Sequence, residues 1–196
     1  MTQRLSAGVT LVLGGARSGK SGFGEKLVEN CGLQPVYLAT GRALDSEMEA
    51  RIGKHQLRRG SNWHMVEEPL DLAEALLRQS TPGRAVLVDC LTLWLTNLMM
   101  AKRDVGEACA GLLAGFGKLG GPVVFVSNEV GLGIVPQNAM AREFRDHAGE
   151  INQQVAAKAD TVIFVAAGLP LILKPTSQSI GASQSIGAGQ SIGEGA

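Results

Sequence analysis

The stretch Gly14-Gly15-Ala16-Arg17-Ser18-Gly19-Lys20-Ser21 limits what this chain can fold into more than any other. An apolar run, Val9 to Leu13, leads into it, and a helix-compatible run, Gly22 to Cys31, leads out. A G-x-x-x-x-G-K-[ST] pattern at a strand-to-helix junction predicts a phosphate-binding loop, the P-loop. Glycines let the backbone turn tightly and aim several N–H groups at phosphate oxygens. The helix that follows adds the positive end of its dipole. Lys20 is placed to reach the β- and γ-phosphates and Ser21 to hold Mg²⁺ through its hydroxyl. A glycine-rich turn that carries Lys-Ser by coincidence is the bland alternative, and the flanking strand and helix argue against it. The expectation is a nucleoside triphosphate site.

The rest of the pattern alternates. Strands are predicted at 10–13, 35–39, 63–67, 84–89, 122–127 and 161–166, with an optional edge strand at 171–174. Helices are predicted over 20–30, 45–58, 70–79, 91–101, 105–119 and 139–159. Continuous apolar strands between helices indicate an α/β fold, a mainly parallel sheet flanked by helices. Ligands in such folds sit at the carboxyl ends of the strands. The loops at 14–21, 39–41, 89–92 and 127–137 all follow strands, so chain order alone puts them on one rim. From Pro175 onward the composition changes to a six-residue repeat, Ser-Gln-Ser-Ile-Gly-Ala. The division is therefore a P-loop domain over 1–174 and a low-complexity tail over 175–196, expected to be disordered. A short β-helix is the alternative for the tail, with one isoleucine per repeat as a thin core.

The 196 residues suffice for one domain with a sizeable core. Eighteen basic and eighteen acidic side chains cancel, which gives no general attraction to nucleic acid or an anionic membrane. No apolar run is long enough to span a membrane and no leader precedes the first strand, so a cytoplasmic protein is expected. Cys31, Cys90 and Cys109 are odd in number, widely spaced and without a C-x-x-C pattern. They read as reduced core thiols.

Asp89 closes an apolar strand, where the second acid of a P-loop protein orders Mg²⁺; a helix-capping acid is the alternative. Glu129 competes for the metal role. His55 shares a helix face with Met48 and Ile52 and precedes Gln56-Leu57-Arg58-Arg59. A neutral imidazole beside arginines is a nucleophile toward phosphorus, yet a lone histidine on an apolar face is more often structural. His64 and His147 are read as structural. Asn128 to Pro136 reads as a shaped binding loop or a plain connection. Arg142, Arg145 and Asp146 form a solvated face, a subunit contact or a phosphate clamp.

Several of these segments taken together resemble one family. They are the P-loop octapeptide, Tyr37-Leu38-Ala39-Thr40, Arg51-Ile52-x-x-His55, Trp63, Glu67, Asp89-Cys90-Leu91-Thr92, Thr96-Asn97, Asn128-Glu129-Val130-Gly131-x-Gly133-Ile134-Val135-Pro136, Arg142-x-Phe144-Arg145-Asp146 and Asn152-Gln153. The set, spanning about residues 9–174, is similar to the bifunctional adenosylcobinamide kinase / adenosylcobinamide-phosphate guanylyltransferases of cobalamin biosynthesis. The resemblance implies a RecA-like fold, a homotrimer and two reactions. Adenosylcobinamide is phosphorylated with ATP or GTP. GMP from GTP is then transferred to adenosylcobinamide phosphate through a guanylylated histidine, whose matching position is His55. Residues 14–21, Ala39, Thr40, Gly41, Gln56, Leu57, Arg58, Arg59, Glu67 and Asp89 match nucleotide-site positions. Lys54 stands where some relatives carry a second histidine, and some relatives keep one activity alone. A single-activity P-loop small-molecule kinase is the competing enzyme reading. A RecA-like binding ATPase is the competing reading from another class.

Overall fold

A computed structural model describes residues 8–41 and 62–175. The helix expected at 45–58, and with it His55, Gln56, Leu57, Arg58 and Arg59, lies outside the described residues, as does the repeat region from 176 onward. The described strands are β1 Val9–Gly14, β2 Gln34–Ala39, β3 His64–Glu67, β4 Arg84–Asp89, β5 Val123–Asn128, β6 Thr161–Ala166 and β7 Leu169–Lys174. They form one sheet in the order β3-β2-β4-β5-β1-β6-β7. β1 to β6 are mutually parallel, and only β7 runs antiparallel, on β6. This is the α/β, mainly parallel architecture the alternation predicts.

The helices are α1 Lys20–Glu29, α2 Leu72–Gln79, α3 Leu91–Met100, α4 Val105–Ala114 and α5 Ala139–Lys158. Both faces of the sheet are covered, which is why its central strands are apolar at nearly every position. On one face Leu11, Val86, Val88 and Phe125 pack with Leu72, Leu91, Trp94, Leu95, Leu112 and Val155. On the other, Val12, Leu87, Val124 and Val126 pack with Leu27 and Val28 of α1 and with Tyr37 and Trp63. Gly24 lets α1 approach closely. A Cβ there would sit 3.0 Å from Leu87 Cδ1 and 3.3 Å from Val126 Cγ2. Gly24→Val is therefore expected to overpack this seam and cost about 1–3 kcal/mol, read as a lower urea midpoint.

Three boundaries differ from the sequence pattern by two residues or more, each for a local reason. The helix expected over 105–119 stops at Ala114 and gives way to a 3₁₀ turn, Phe116–Lys118. Gly115 and Gly117 are poor helix residues, and Phe116 turns inward to stack on Phe125 with centroids 5.5 Å apart. α2 starts at Leu72, not Leu70, because Glu68 Oε1 accepts the N–H groups of Leu70 and Asp71 at 3.1 and 2.9 Å. β7 starts at Leu169 because Ala167 and Gly168 take positive φ, 50° and 79°. Those angles are the mirror-image turn that matches strand twist in a two-residue hairpin. α5 is capped by Asn138, whose Oδ1 accepts from Ala141 N at 3.3 Å.

Candidate active site

The site grows from the carboxyl end of β1. β1 runs to Gly14, and α1 begins at Lys20 after a tight loop. Arg17 and Gly19 both have positive φ, 57° and 97°. Gly14 has no room for a side chain. A Cβ would lie 2.5 Å from both Ser18 Oγ and Val165 O. α1 has no acidic residue in its first turn and no side-chain cap, so its N–H groups remain turned toward the loop. That is the geometry in which a helix terminus receives phosphate. The Lys20 ammonium, on a residue only 8 % exposed, donates to Gly15 O at 3.0 Å, arching back over the loop.

The loop is supported from behind by the β6–β7 hairpin. Gly168 N donates to Ser18 O at 2.8 Å. A Cβ on Gly19 would be 3.2 Å from Gly168 Cα, so the turn and the loop touch backbone to backbone.

The strand register places the remaining candidates. β5 lies between β1 and β4, and Gly14 pairs with Asn128. Ala39 of β2 pairs with both Asp89 of β4 and Glu67 of β3. The phosphate loop, Asn128, Asp89, Ala39 and Glu67 thus line one rim of the sheet. Asp89 Oδ2 accepts from the Tyr37 hydroxyl at 3.0 Å. Glu67 is exposed at the edge strand. Among the described residues, no group of three or more His, Cys, Asp or Glu forms a metal cage. One hydroxyl, Ser21, and one carboxylate, Asp89, fit Mg²⁺, which keeps several waters and takes one or two protein ligands plus phosphates.

Beneath the rim runs a buried polar network that the sequence pattern does not reveal. Thr40 is fully buried, and its hydroxyl both donates to Cys90 O at 2.7 Å and accepts from Cys90 N at 2.8 Å. Asn97 Nδ2 donates to Thr40 O at 2.7 Å. The Thr92 hydroxyl lies 3.0 Å from Cys90 Sγ and accepts from Asn128 Nδ2 at 2.7 Å. Asn152 Nδ2 donates to Asn128 O at 3.2 Å. Thr40 therefore touches the site through backbone it holds in place, not through its own hydroxyl. The only advance sign was small polar residues just past the ends of apolar strands, a pattern shared by ordinary loops. Thr40→Val keeps the shape but leaves the Cys90 N–H unpaired, while Cys90 O keeps the N–H of Trp94 at 3.1 Å. The expected loss is about 1–3 kcal/mol, measured by denaturant unfolding.

Cys90 is pushed up to about 11, first by burial and then by the Asp89 charge; the Thr92 hydrogen bond and the Lys20 charge pull the other way. It stays a thiol at neutral pH. It is neither a nucleophile nor a ready metal ligand. All three cysteines are free.

Other candidates take structural parts. Arg142 donates to Pro136 O at 3.0 Å and Gln137 O at 2.6 Å, so it braces the 129–138 loop. Arg145 pairs with Asp146 at 2.9 Å. His147 faces Glu150 at 3.3 Å on α5, and His64 is exposed at the far end of β3.

A glycine-shaped loop between a buried strand and an uncapped helix, a lysine arched over it and an acid two strands away define a P-loop nucleotide-binding protein. Residues 10–173 match the family described as cobinamide kinase / cobinamide phosphate guanyltransferase, and the chain belongs to that family. It is 48 % identical over 167 residues to the bifunctional adenosylcobalamin biosynthesis protein CobP of Pseudomonas aeruginosa, covering 84 % of this chain and 96 % of that one. It is 38 % identical over 179 residues to the bifunctional adenosylcobalamin biosynthesis protein CobU of Escherichia coli K12, covering 84 % and 98 %. Among solved structures it is similar to the P4 protein of bacteriophage phi6 in complex with ADP, with a TM-score of 0.50 and 19 % identity over 90 % of this chain and 59 % of that one. That likeness concerns the fold.

Proposed function

We propose that this chain is a bifunctional adenosylcobinamide kinase and adenosylcobinamide-phosphate guanylyltransferase of adenosylcobalamin biosynthesis. The family match across residues 10–173 carries the reading, and the geometry of the phosphate loop supports it. In the first reaction ATP or GTP gives its γ-phosphoryl group to the aminopropanol hydroxyl of adenosylcobinamide. In the second, a nitrogen of His55 attacks the α-phosphorus of GTP and pyrophosphate leaves. The phosphate of adenosylcobinamide phosphate then displaces the histidine, giving adenosylcobinamide-GDP.

The chain's residues divide this work. The N–H groups of Gly15 to Ser21 and the Lys20 ammonium neutralise the phosphates and the departing charge. Ser21 and Asp89 would hold Mg²⁺, which spreads charge off the bridging oxygens when bound. Arg58 or Arg59 steadies the transferred phosphoryl oxygens. Gln56, Leu57, Ala39, Gly41 and Glu67 line the nucleotide, with Thr40 behind them.

We assign residues 1–174 to the catalytic domain and the repeat at 175–196 to a separate low-complexity tail. We place the protein in the cytoplasm; among the described residues no helix is long and apolar enough to cross a membrane. We read it as a homotrimer without a nucleic-acid partner. Leu132 and Ile134 are 84 % and 98 % exposed, and Leu169, Leu171 and Leu173 of β7 are also exposed, an apolar surface that assembly would cover. The deciding experiment mixes the protein with [α-³²P]GTP and Mg²⁺, isolates the labelled chain and adds adenosylcobinamide phosphate. Label should move from protein to corrinoid. A chain that takes up no label would instead be a single-activity kinase.

A further inference from the structure

We propose that Glu129 is the general base of the phosphorylation step. This rests on the kinase reading above. The acceptor there is an alcohol, whose proton must leave as the new P–O bond forms. A carboxylate in hydrogen-bond reach of that hydroxyl is the ordinary solution.

The position follows from the sheet. β5 is the strand between the phosphate loop's β1 and the Asp89 strand β4, so its carboxyl end opens between the two. Asn128 pairs with Gly14, and Glu129 N donates to Gly14 O at 3.1 Å. Glu129 is thus joined by backbone to the first residue of the loop. Its neighbours at this strand end are already engaged. Ser127 is 1 % exposed, the Asn128 amide is bound to Thr92, and the Asn128 carbonyl is bound by Asn152. Asp89 is bound by Tyr37, and Glu67 lies on the outermost parallel strand.

The carboxylate is also pre-set. Glu129 Oε1 accepts from Gly131 N at 2.6 Å. A Cβ on residue 131 would come within 2.9 Å of that oxygen, so glycine leaves the space in which the carboxylate folds back. Among the described residues the hydrogen bond that Glu129 accepts falls on Oε1, which leaves Oε2 for the acceptor's hydroxyl in this proposal. In the step, the hydroxyl oxygen bonds to the γ-phosphorus and its proton passes to Glu129. The bond from the γ-phosphorus to the bridging oxygen breaks, and its electron pair stays on the nucleoside diphosphate. Glu129 later returns the proton to solvent.

The test is Glu129→Gln, which keeps an acceptor for Gly131 N and removes the base. With saturating adenosylcobinamide, kcat for phosphorylation should fall by roughly 10²–10⁴-fold. KM for the nucleotide should stay within about twofold, and the acid limb of the kcat–pH profile should vanish. Glu129→Asp should recover part of the rate. A Gln variant that keeps kcat and its pH limb overturns the proposal. So does one whose defect is a raised Mg²⁺ requirement with the pH limb intact, since that marks a metal ligand. A wild-type protein that phosphorylates no cobinamide would sink the underlying kinase reading instead.

Discussion

Lys20→Ala is expected to lose both reactions together. The side chain is nearly sealed in, and its ammonium already arches over Gly15 O where phosphate oxygens arrive. In a site shielded from water, a fixed positive charge on developing negative charge is worth far more than in solvent. Removing one such donor costs about 10²–10³-fold in kcat. Lys20→Arg should restore little, because a planar fork does not replace a compact ammonium in a cavity shaped for it. Phosphorylation of adenosylcobinamide and GMP labelling of the protein should both drop, with the far-UV spectrum unchanged. Loss of one reaction alone would mean that the two steps use separate phosphate sites.

His55→Ala should separate them. Labelling by [α-³²P]GTP should disappear while most cobinamide phosphorylation remains, because γ-phosphoryl transfer needs positioning and neutralisation but no covalent intermediate. In the wild type the label should be acid-labile and base-stable, as a phosphoramidate is. Undiminished label in the variant would take His55 out of the chemistry. Position alone argues little for this residue; the resemblance of Arg51-Ile52-x-x-His55 to the family pattern argues for it.

What could be read beforehand divides along physical lines. The β1 strand, the loop after it and α1 were legible because their signals are local. Apolar runs, required glycines and a Lys-Ser pair stand within a dozen positions of each other. The parallel sheet was legible for the same reason, since strands covered on both faces carry no polar alternation to confuse. Strand order was not, and strand order is what brings Asn128 beside Gly14 and Asp89 beside Ala39. The network joining Thr40, Cys90, Thr92 and Asn128 was hidden because each member is an unremarkable polar residue, and only pairing across 36 to 50 positions gives it meaning. Arg142 was open to three readings, a solvated face, a subunit contact or a phosphate clamp, and in the described residues its guanidinium holds the loop's own carbonyls.

The hairpin behind the phosphate loop has a consequence for how the protein is made. The grip on nucleotide is written near the start of the chain, but Ser18 leans on Gly168, one hundred and fifty positions later. A growing polypeptide therefore carries the whole recognition motif long before it can close its hand. Affinity for triphosphate should switch on late in synthesis, once the two last described strands have left the ribosome and paired.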